Sequence, residues 1–452
     1  MIFGSFLSVS TIFSDSSIFF PILPKSTLFP SFFIEDVLLA RALSIAIVCL
    51  ILWLSEIVPA FVPTLLLWTI TPILLGGLNR NFALSNVLRW SADPVMPLFF
   101  GGFALSVAAT KYGLDKTLAE LAVKISGGRR VRLIFLTAFV TAFLSMWMSN
   151  IAAAAMMIVA VHPLLSKFDA DDSFRRAMLL AIAFGADFGG IASPIGSGPN
   201  AIAVSAVSHI QNITFVQWMG FGLPLTILLI IAALGLVFWK LNVKGPPVAL
   251  SEITGNMKPG AKIVIGIALA TITLWITEPL HGIPAAVVAL GGTSLLFISG
   301  MLIGKDLAKI DWSTLLLIAG GLGMGRLLEQ SGILATAASA IQWHQISHFV
   351  MLLGLCLASA FLSALMSNTA TATILIPLAA TISSEPSTII IVAIAASLGI
   401  PFVISTPPNA MVYGEGGIES KDFMIPGLLI MIIGCVVISL TGPFILGLLG
   451  ID

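Results

Sequence analysis

The chain has 452 residues, 58% hydrophobic and 9% charged, with a formal net charge of zero. A soluble domain carries about 25% charged residues, so the composition excludes a soluble globular fold, and the neutral balance leaves no basic footprint for nucleic acid. Apolar runs at 37–55, 61–77, 222–239, 283–303 and 424–448 approach the roughly 20 residues that a helix needs to cross a bilayer, and runs of that length contradict a barrel of short alternating strands.

The expectation is therefore an all-α polytopic membrane protein. Residues 1–35, rich in Phe, Ser and Pro and interrupted by Lys25, read either as a weak first transmembrane helix or as a leader. A first repeat is expected over 36–245, a cytoplasmic linker over 246–259 and a second repeat over 260–450. WLSEIVPAFVP (Trp53, Glu56, Pro63) opens the first repeat, followed by Gly101–Gly102. Arg129, Arg130 and Arg132 precede segment 133–165, and Lys167, Arg175 and Arg176 follow it. Basic residues at both ends mark both as cytoplasmic. The segment then reads as a re-entrant helical hairpin entering from inside, with Ser149–Asn150 at its tip. Segment 177–208 leaves the cytoplasm, but GGIASPIGSGPN (189–200) cannot be a smooth helix, because proline removes a backbone donor and clashes with the preceding turn. A broken transmembrane helix is expected, and 222–239 returns to Lys240 and Lys244.

The second half repeats these signals in order. WITEPLHGIP (Trp275, Glu278, Pro284) answers the first Trp motif, Gly320–Gly321 the glycine pair, Ser367–Asn368 the hairpin tip, and Pro408–Asn409 answers Pro199–Asn200. The offsets shrink from 222 to 209 residues. Four collinear pairs argue for duplication. The hairpin is expected over 349–382 and the broken helix over 386–414. No Lys or Arg occurs from Leu327 to Ile400, so these flanks read as external. Five membrane elements per half then give two inverted-topology repeats whose hairpin tips meet near the midplane, the architecture of a secondary transporter.

The chemistry at the tips is neutral. Ser149, Asn150, Ser367, Asn368 and Thr369 offer amides and hydroxyls that can donate to an anion or accept toward a cation. Segments 141–163, 359–382 and 393–414 contain no Asp, Glu, Lys or Arg, so a bound anion needs its countercharge from co-bound cations. That linkage makes each ligand raise the other's affinity. Freed carbonyls at the breaks suit a small cation, and half-helix N-termini suit an anion. Asp187 stands just before the first break without an acidic counterpart. It reads as a proton relay or extra cation ligand, or as a solvated acid at a cavity rim. Glu56 and Glu278 read as wet carboxylates beside interfacial Trp, the glycine pairs as close helix contacts, and Cys49, Cys356 and Cys435 as buried thiols without metal spacing. His344 and His348 share helical spacing but read as a solvated face, as does the loop cluster Asp169, Asp171 and Asp172. No hydrolase, metalloprotease or phosphate-loop motif is present, so an enzyme is not expected.

The Trp53–Glu56 motif, the paired Ser-Asn tips and the breaks at Gly196–Asn200 and Ser405–Asn409 resemble the divalent anion/sodium symporter family over roughly 37–449. The resemblance implies a homodimer in which a transport domain shuttles like an elevator against a fixed scaffold. It also implies co-transported sodium with no other cofactor, and a multi-pass location in the cytoplasmic (inner) membrane. One sodium site would be lined by Ser145, Ser149, Asn150 and Gly196, and the other by Ser363, Asn368 and Ser405. The small anionic substrate, a di- or tricarboxylate or sulfate, would sit between Asn150, Ser197, Asn368, Thr369, Thr406 and Pro407, close to Ser149 and Ser367. The first tip departs from the family in having Ile151 where a Thr is usual, which weakens the case for a symmetric dicarboxylate. Ser197 keeps the hydroxyl of the usual Thr. The acid at Asp187 leaves proton coupling open beside sodium.

Overall fold

The structure, a computed structural model, describes residues 37–55, 57–248, 257–339, 345–383 and 385–451. The expectations for 1–35, Glu56, His344 and most of the 246–259 linker therefore fall outside the described residues. Among the described residues every regular element is a helix.

The helices of the first half are α1 (Val37–Ser55), α2 (Val62–Leu75), α3 (Leu84–Arg89), α4 (Val95–Lys111), α5 (Leu114–Ser126), α6 (Arg130–Ser145), α7 (Asn150–Leu165), α8 (Ser173–Gly189), α9 (Gly198–Ser208) and α10 (Phe215–Leu241). The second half follows with α11 (Ala261–Ile276), α12 (Glu278–His281), α13 (Ala285–Ile298), α14 (Trp312–Gln330), α15 (Ile333–Ser339), α16 (His348–Leu365), α17 (Asn368–Ile382), α18 (Pro386–Ala396), α19 (Pro407–Gly414) and α20 (Ser420–Leu448). Apart from the short α3 and α12, each helix of one half has a counterpart at the same place in the other. Even single bonds recur. Trp53 Nε1 donates to Ala60 O at 2.9 Å, and Trp275 Nε1 donates to Ala285 O at 2.9 Å. Of the described helices, α10, α16 and α20 are individually long and apolar enough to cross a bilayer.

The two glycine pairs lock the halves together reciprocally. A Cβ on Gly101 would lie 2.6 Å from Ala289 Cβ, and one on Gly320 would lie 2.0 Å from Thr64 Oγ1. Thus α4 beds onto α13 and α14 onto α2, with Thr64 Oγ1 donating to Leu316 O at 2.8 Å. Lys111 at the end of α4 reaches the loop before α14, where its Nζ lies 2.6 Å from Asp306 Oδ2. Burial alone would raise the Asp306 carboxyl. Hydrogen bonds from Lys111, the Ile303 N–H and Lys309 override it and hold the group at about 2.

The broken helices lie at the centre. Every residue from Ala177 to Ala203 and from Pro386 to Pro401 is buried, so the first break is enclosed by protein as non-helical backbone at membrane depth requires, while the second opens at Phe402–Ile404, where Ile404 is 79% exposed. At the far end of α8, Arg176 pairs with the fully buried Asp422 at the start of α20. Lys240 of α10 lies 3.0 Å from the same carboxylate, so one acid ties three helices. The three cysteines are free and buried.

Candidate functional site

Each hairpin turns where the sequence supplies a helix N-cap. Ser149 is extended (φ −63°, ψ 145°) and its hydroxyl accepts from Ala152 N at 3.3 Å. Ser367 repeats this (φ −65°, ψ 143°), accepting from Ala370 N at 3.1 Å. Serine is favoured here because its side-chain oxygen satisfies an orphan N–H of the first turn. Asn150 and Asn368 are therefore the first residues of α7 and α17, and both are half-buried.

The preceding arm brings oxygens onto each asparagine. Ser145 Oγ lies 2.8 Å from Asn150 Oδ1 and 2.6 Å from Ala186 O. Ser363 Oγ lies 2.7 Å from Asn368 Oδ1 and 2.5 Å from Ala396 O. A serine hydroxyl has one proton, so in each cluster three oxygens share a single donor. Rotating the Asn150 amide instead puts its nitrogen, with two protons to give, within reach of Ser145 Oγ at 2.8 Å, Gly196 O at 3.2 Å and Ala186 O at 3.3 Å. The first orientation gathers oxygens as a small cation requires, and the second is self-satisfied.

The breaks are fastened by the asparagines of the Pro-Asn pairs. Asn200 Nδ2 donates to Gly190 O and Ser193 O, both at 2.8 Å. Asn409 Nδ2 donates to Ile400 O and Phe402 O, both at 3.1 Å. A hydroxyl then ties each break to its hairpin. Ser193 Oγ donates to Met146 O, and Ser405 Oγ donates to Ala364 O at 2.9 Å.

Four helix starts come together as a result. Ser197 and Thr406 are the extended residues preceding α9 and α19, and Thr406 Oγ1 accepts from Asn409 N at 3.3 Å. A Cβ on Gly198 would lie 2.2 Å from Thr369 Oγ1, so α9 begins against the start of α17. A Cβ on Gly190 would lie 2.6 Å from Asn150 Oδ1 and 3.0 Å from Gly196 O, which puts the start of α7 beside the approach to α9. The helix α7 also packs on α19. Each hairpin thus meets the half-helix of the opposite half. Peptide N–H groups at the starts of α7, α9 and α17, beside the Thr406 hydroxyl that precedes the two prolines opening α19, form a setting for an anion without any basic side chain.

Asp187 is not the solvated rim acid that the sequence left open. It is 1% exposed, and its Oδ2 accepts from Thr406 Oγ1 at 3.0 Å. Glu278 is likewise more than a wet interfacial acid, since its Oε2 accepts from Phe215 N at 3.2 Å and caps α10. His348 pairs with Glu385 at 3.0 Å.

The structure thus brings Ser145, Ser149, Asn150, Gly196 and Ser197 into one cluster, Ser363, Ser367, Asn368 and Ser405 into its mirror, and Thr369 and Thr406 across the two. Pro407 is exposed beside Thr406. Sequence reasoning missed Ser193, Asn200 and Asn409 as fasteners, though the Pro-Asn repeat was a sufficient signal for the two asparagines. It had no access to the carbonyls of Ala186 and Ala396. A separate open cavity of about 630 Å³ between the loop before α4, α9, α14 and α17, lined by Asp93, Ser205, His209, Arg326 and Glu329, contains none of the hairpin-tip or break residues.

Duplicated hairpins and enclosed broken helices of this kind define an integral membrane transporter. The family described as citrate transporter matches residues 47–385 and 344–450. An uncharacterized transporter of Haemophilus influenzae is 30% identical over 427 residues, covering 87% of this chain and 88% of that protein. The sodium-dependent dicarboxylate transporter SdcS of Staphylococcus saprophyticus is 28% identical over 447 residues, covering 88% and 85%. Among solved structures, the YdaH transporter of Alcanivorax borkumensis is similar in fold, with a TM-score of 0.59 at 13% identity over 89% of this chain and 98% of that one. The chain belongs to the citrate transporter family. It is a secondary transporter rather than an enzyme, and the motif-level resemblance to the divalent anion/sodium symporters agrees with these matches.

Proposed function

We propose that the protein is a sodium-coupled symporter of a small di- or tricarboxylate, working by elevator-type alternating access as a homodimer in the cytoplasmic membrane. The observation that carries this reading is the meeting of the starts of α7, α9 and α17 with the Thr406 hydroxyl before α19, beside two oxygen clusters in which one serine proton serves three oxygens when the amide oxygen faces the serine. The anion takes the helix starts, held by Asn150, Ser197, Asn368, Thr369 and Thr406, with Ser149, Ser367 and Pro407 shaping the edge. Sodium takes the oxygens, at Ser145, Ser149, Asn150 and Gly196 in one half and at Ser363, Asn368 and Ser405 in the other. Without basic side chains the anion is bound well only when cations are present, so neither ligand is carried efficiently alone. The similarity to the sodium-dependent dicarboxylate transporter SdcS supports both the coupling ion and the cargo class.

A second reading, proton-coupled or exchange transport of sulfate or another small anion, draws on two residues. Ile151 is 45% exposed at the place where Thr369 stands in the other half, and Asp187 is buried beside Thr406. Thermal unfolding of the purified protein with succinate, citrate or sulfate, each with and without sodium, separates the two. A ligand of the folded state at about 100 times its Kd adds about 2.7 kcal/mol of stability. Succinate or citrate should raise Tm in sodium and not in its absence. A shift indifferent to sodium rejects the sodium reading, and a shift confined to sulfate moves the cargo to the second.

A further inference from the structure

The helices group into two bodies. The hairpins and broken helices, α6–α9 and α16–α19, pack with one another and with α10 and α20, while α1, α2, α4, α11, α13 and α14 pack together. The bodies meet where α9 and α17 lie on α14 and where α10 lies on α11. On the elevator reading proposed above, the first body moves and the second stays fixed, so contacts between them must break in every cycle. One of these contacts is aromatic. Trp147, just before Ser149 at the tip of the first hairpin, lies against Phe215 at the start of α10 and Trp275 near the end of α11. The three rings are within 9° of parallel. Ring centroids are 6.1 Å apart for Trp147–Phe215 and for Trp147–Trp275, and 4.8 Å apart for Phe215–Trp275. Phe215 and Trp275 are buried. Trp147 Nε1 is buried without a hydrogen-bond partner among the described residues, so stacking is what places that ring. Glu278, in the same motif as Trp275, adds a second tie by accepting from Phe215 N at 3.2 Å.

The second half cannot build this stack. Trp53 is the counterpart of Trp275, as their matching Nε1 bonds show. Leu365 stands before Ser367 as Trp147 stands before Ser149, and it is 49% exposed. Capping bonds fix the third position. Thr214 N donates to Gln217 Oε1 at 3.0 Å and Glu419 N to Asp422 Oδ2 at 2.9 Å, so Phe215 corresponds to the exposed Ser420. In an inverted repeat the opposite end of travel is approached when the two halves exchange roles. There Trp53 would meet a leucine and a serine. Aromatic pairs stabilise beyond the area they bury, so one end of the travel is favoured over the other.

We propose that Trp147, Phe215 and Trp275 form a one-ended latch that holds the moving body in the conformation seen here and sets its resting equilibrium. The latch has work to do only if the elevator reading holds. Trp275 and Glu278, the second copy of the Trp motif, are then the catch on the fixed body, and the hairpin tip is the part caught. Leaving this conformation requires the stack to open, and no equivalent stack has to open on the way back.

Spin labels at Ser166→Cys on the moving body and Lys305→Cys on the fixed one, both exposed positions, report how the bodies sit. Pulsed electron resonance is recorded on full-length protein diluted with unlabelled chain, so that each assembly carries one labelled pair. Without sodium the labelled parent should show one dominant distance. Trp147→Leu, which copies the second half, should raise the share of a second distance about fivefold or more. Phe215→Leu should do the same, and Trp147→Phe, which keeps a ring, should largely restore the parent distribution. Suppose sodium with succinate, citrate or sulfate reveals a second distance that Trp147→Leu leaves unchanged; the latch is then overturned and the elevator stands. A lowered Tm without redistribution also overturns it, because that is what a purely structural ring would give. If no variant and no solution shows a second distance, the bodies do not move, and the elevator reading falls together with the latch. Should Trp147→Leu fail to fold, Phe215→Leu decides.

Discussion

Ser145, Asn150 and Ala186 in the first half meet at distances within about 0.1 Å of those joining Ser363, Asn368 and Ala396 in the second. Around these matching clusters the halves diverge. The first has Ile151, Gly198 and Asp187 where the second has Thr369, Pro407 and Ser397. Geometry is held constant where oxygens are gathered, and side chains change where the two halves face each other. On the proposed reading, the cation machinery is symmetric and the anion is met by two unlike ends.

The sharpest way to break the symmetric part is to remove either amide. Asn150→Ala and Asn368→Ala should each reduce uptake to background while the unfolding temperature shows the protein still folded, measured by proteoliposome uptake alongside calorimetry. Equal loss from both supports a shared site, and a collapse of the fold in either would make that asparagine a structural tie. Gly198→Ala attacks the asymmetric part, since its Cβ would fall 2.2 Å from Thr369 Oγ1 and 2.8 Å from Thr369 Cγ2. Uptake should fall at least tenfold and recover in part when Thr369→Ser removes the methyl; no recovery would mean that the contact is not the cause. The mildest change makes the halves more alike. Ile151→Thr supplies a hydroxyl whose bond to a charged group is worth about 1.5–3 kcal/mol, so succinate or citrate affinity should rise about tenfold or more in a calorimetric titration. An unchanged affinity would show that Ile151 faces something other than cargo.

Much of the architecture was legible from rare polar residues in an apolar chain. Ser149–Asn150 and Ser367–Asn368 located the hairpin turns because serine before a helix start is an N-cap signature, and the Pro-Asn pairs located the breaks. The mirror of Asp187 was not legible. Gly189 to Asn200 contains one residue more than Gly399 to Asn409, so counting back from the Pro-Asn motif gives the wrong partner; the hydrogen bonds to Ala186 O and Ala396 O set the register. Those carbonyls could not be foreseen either, because a backbone acceptor leaves no trace in residue identity. The depth of Asp187 likewise depends on four neighbouring segments, which a local reading does not assemble.

Because Asn200 and Asn409 grip the main chain of their own breaks, the kinked peptide is already rigid before any solute arrives. Ordering a floppy loop would subtract from the contact energy of each association. Here that loss is taken once, during folding, so a handful of uncharged groups can hold a small, heavily hydrated cargo and still let it go quickly.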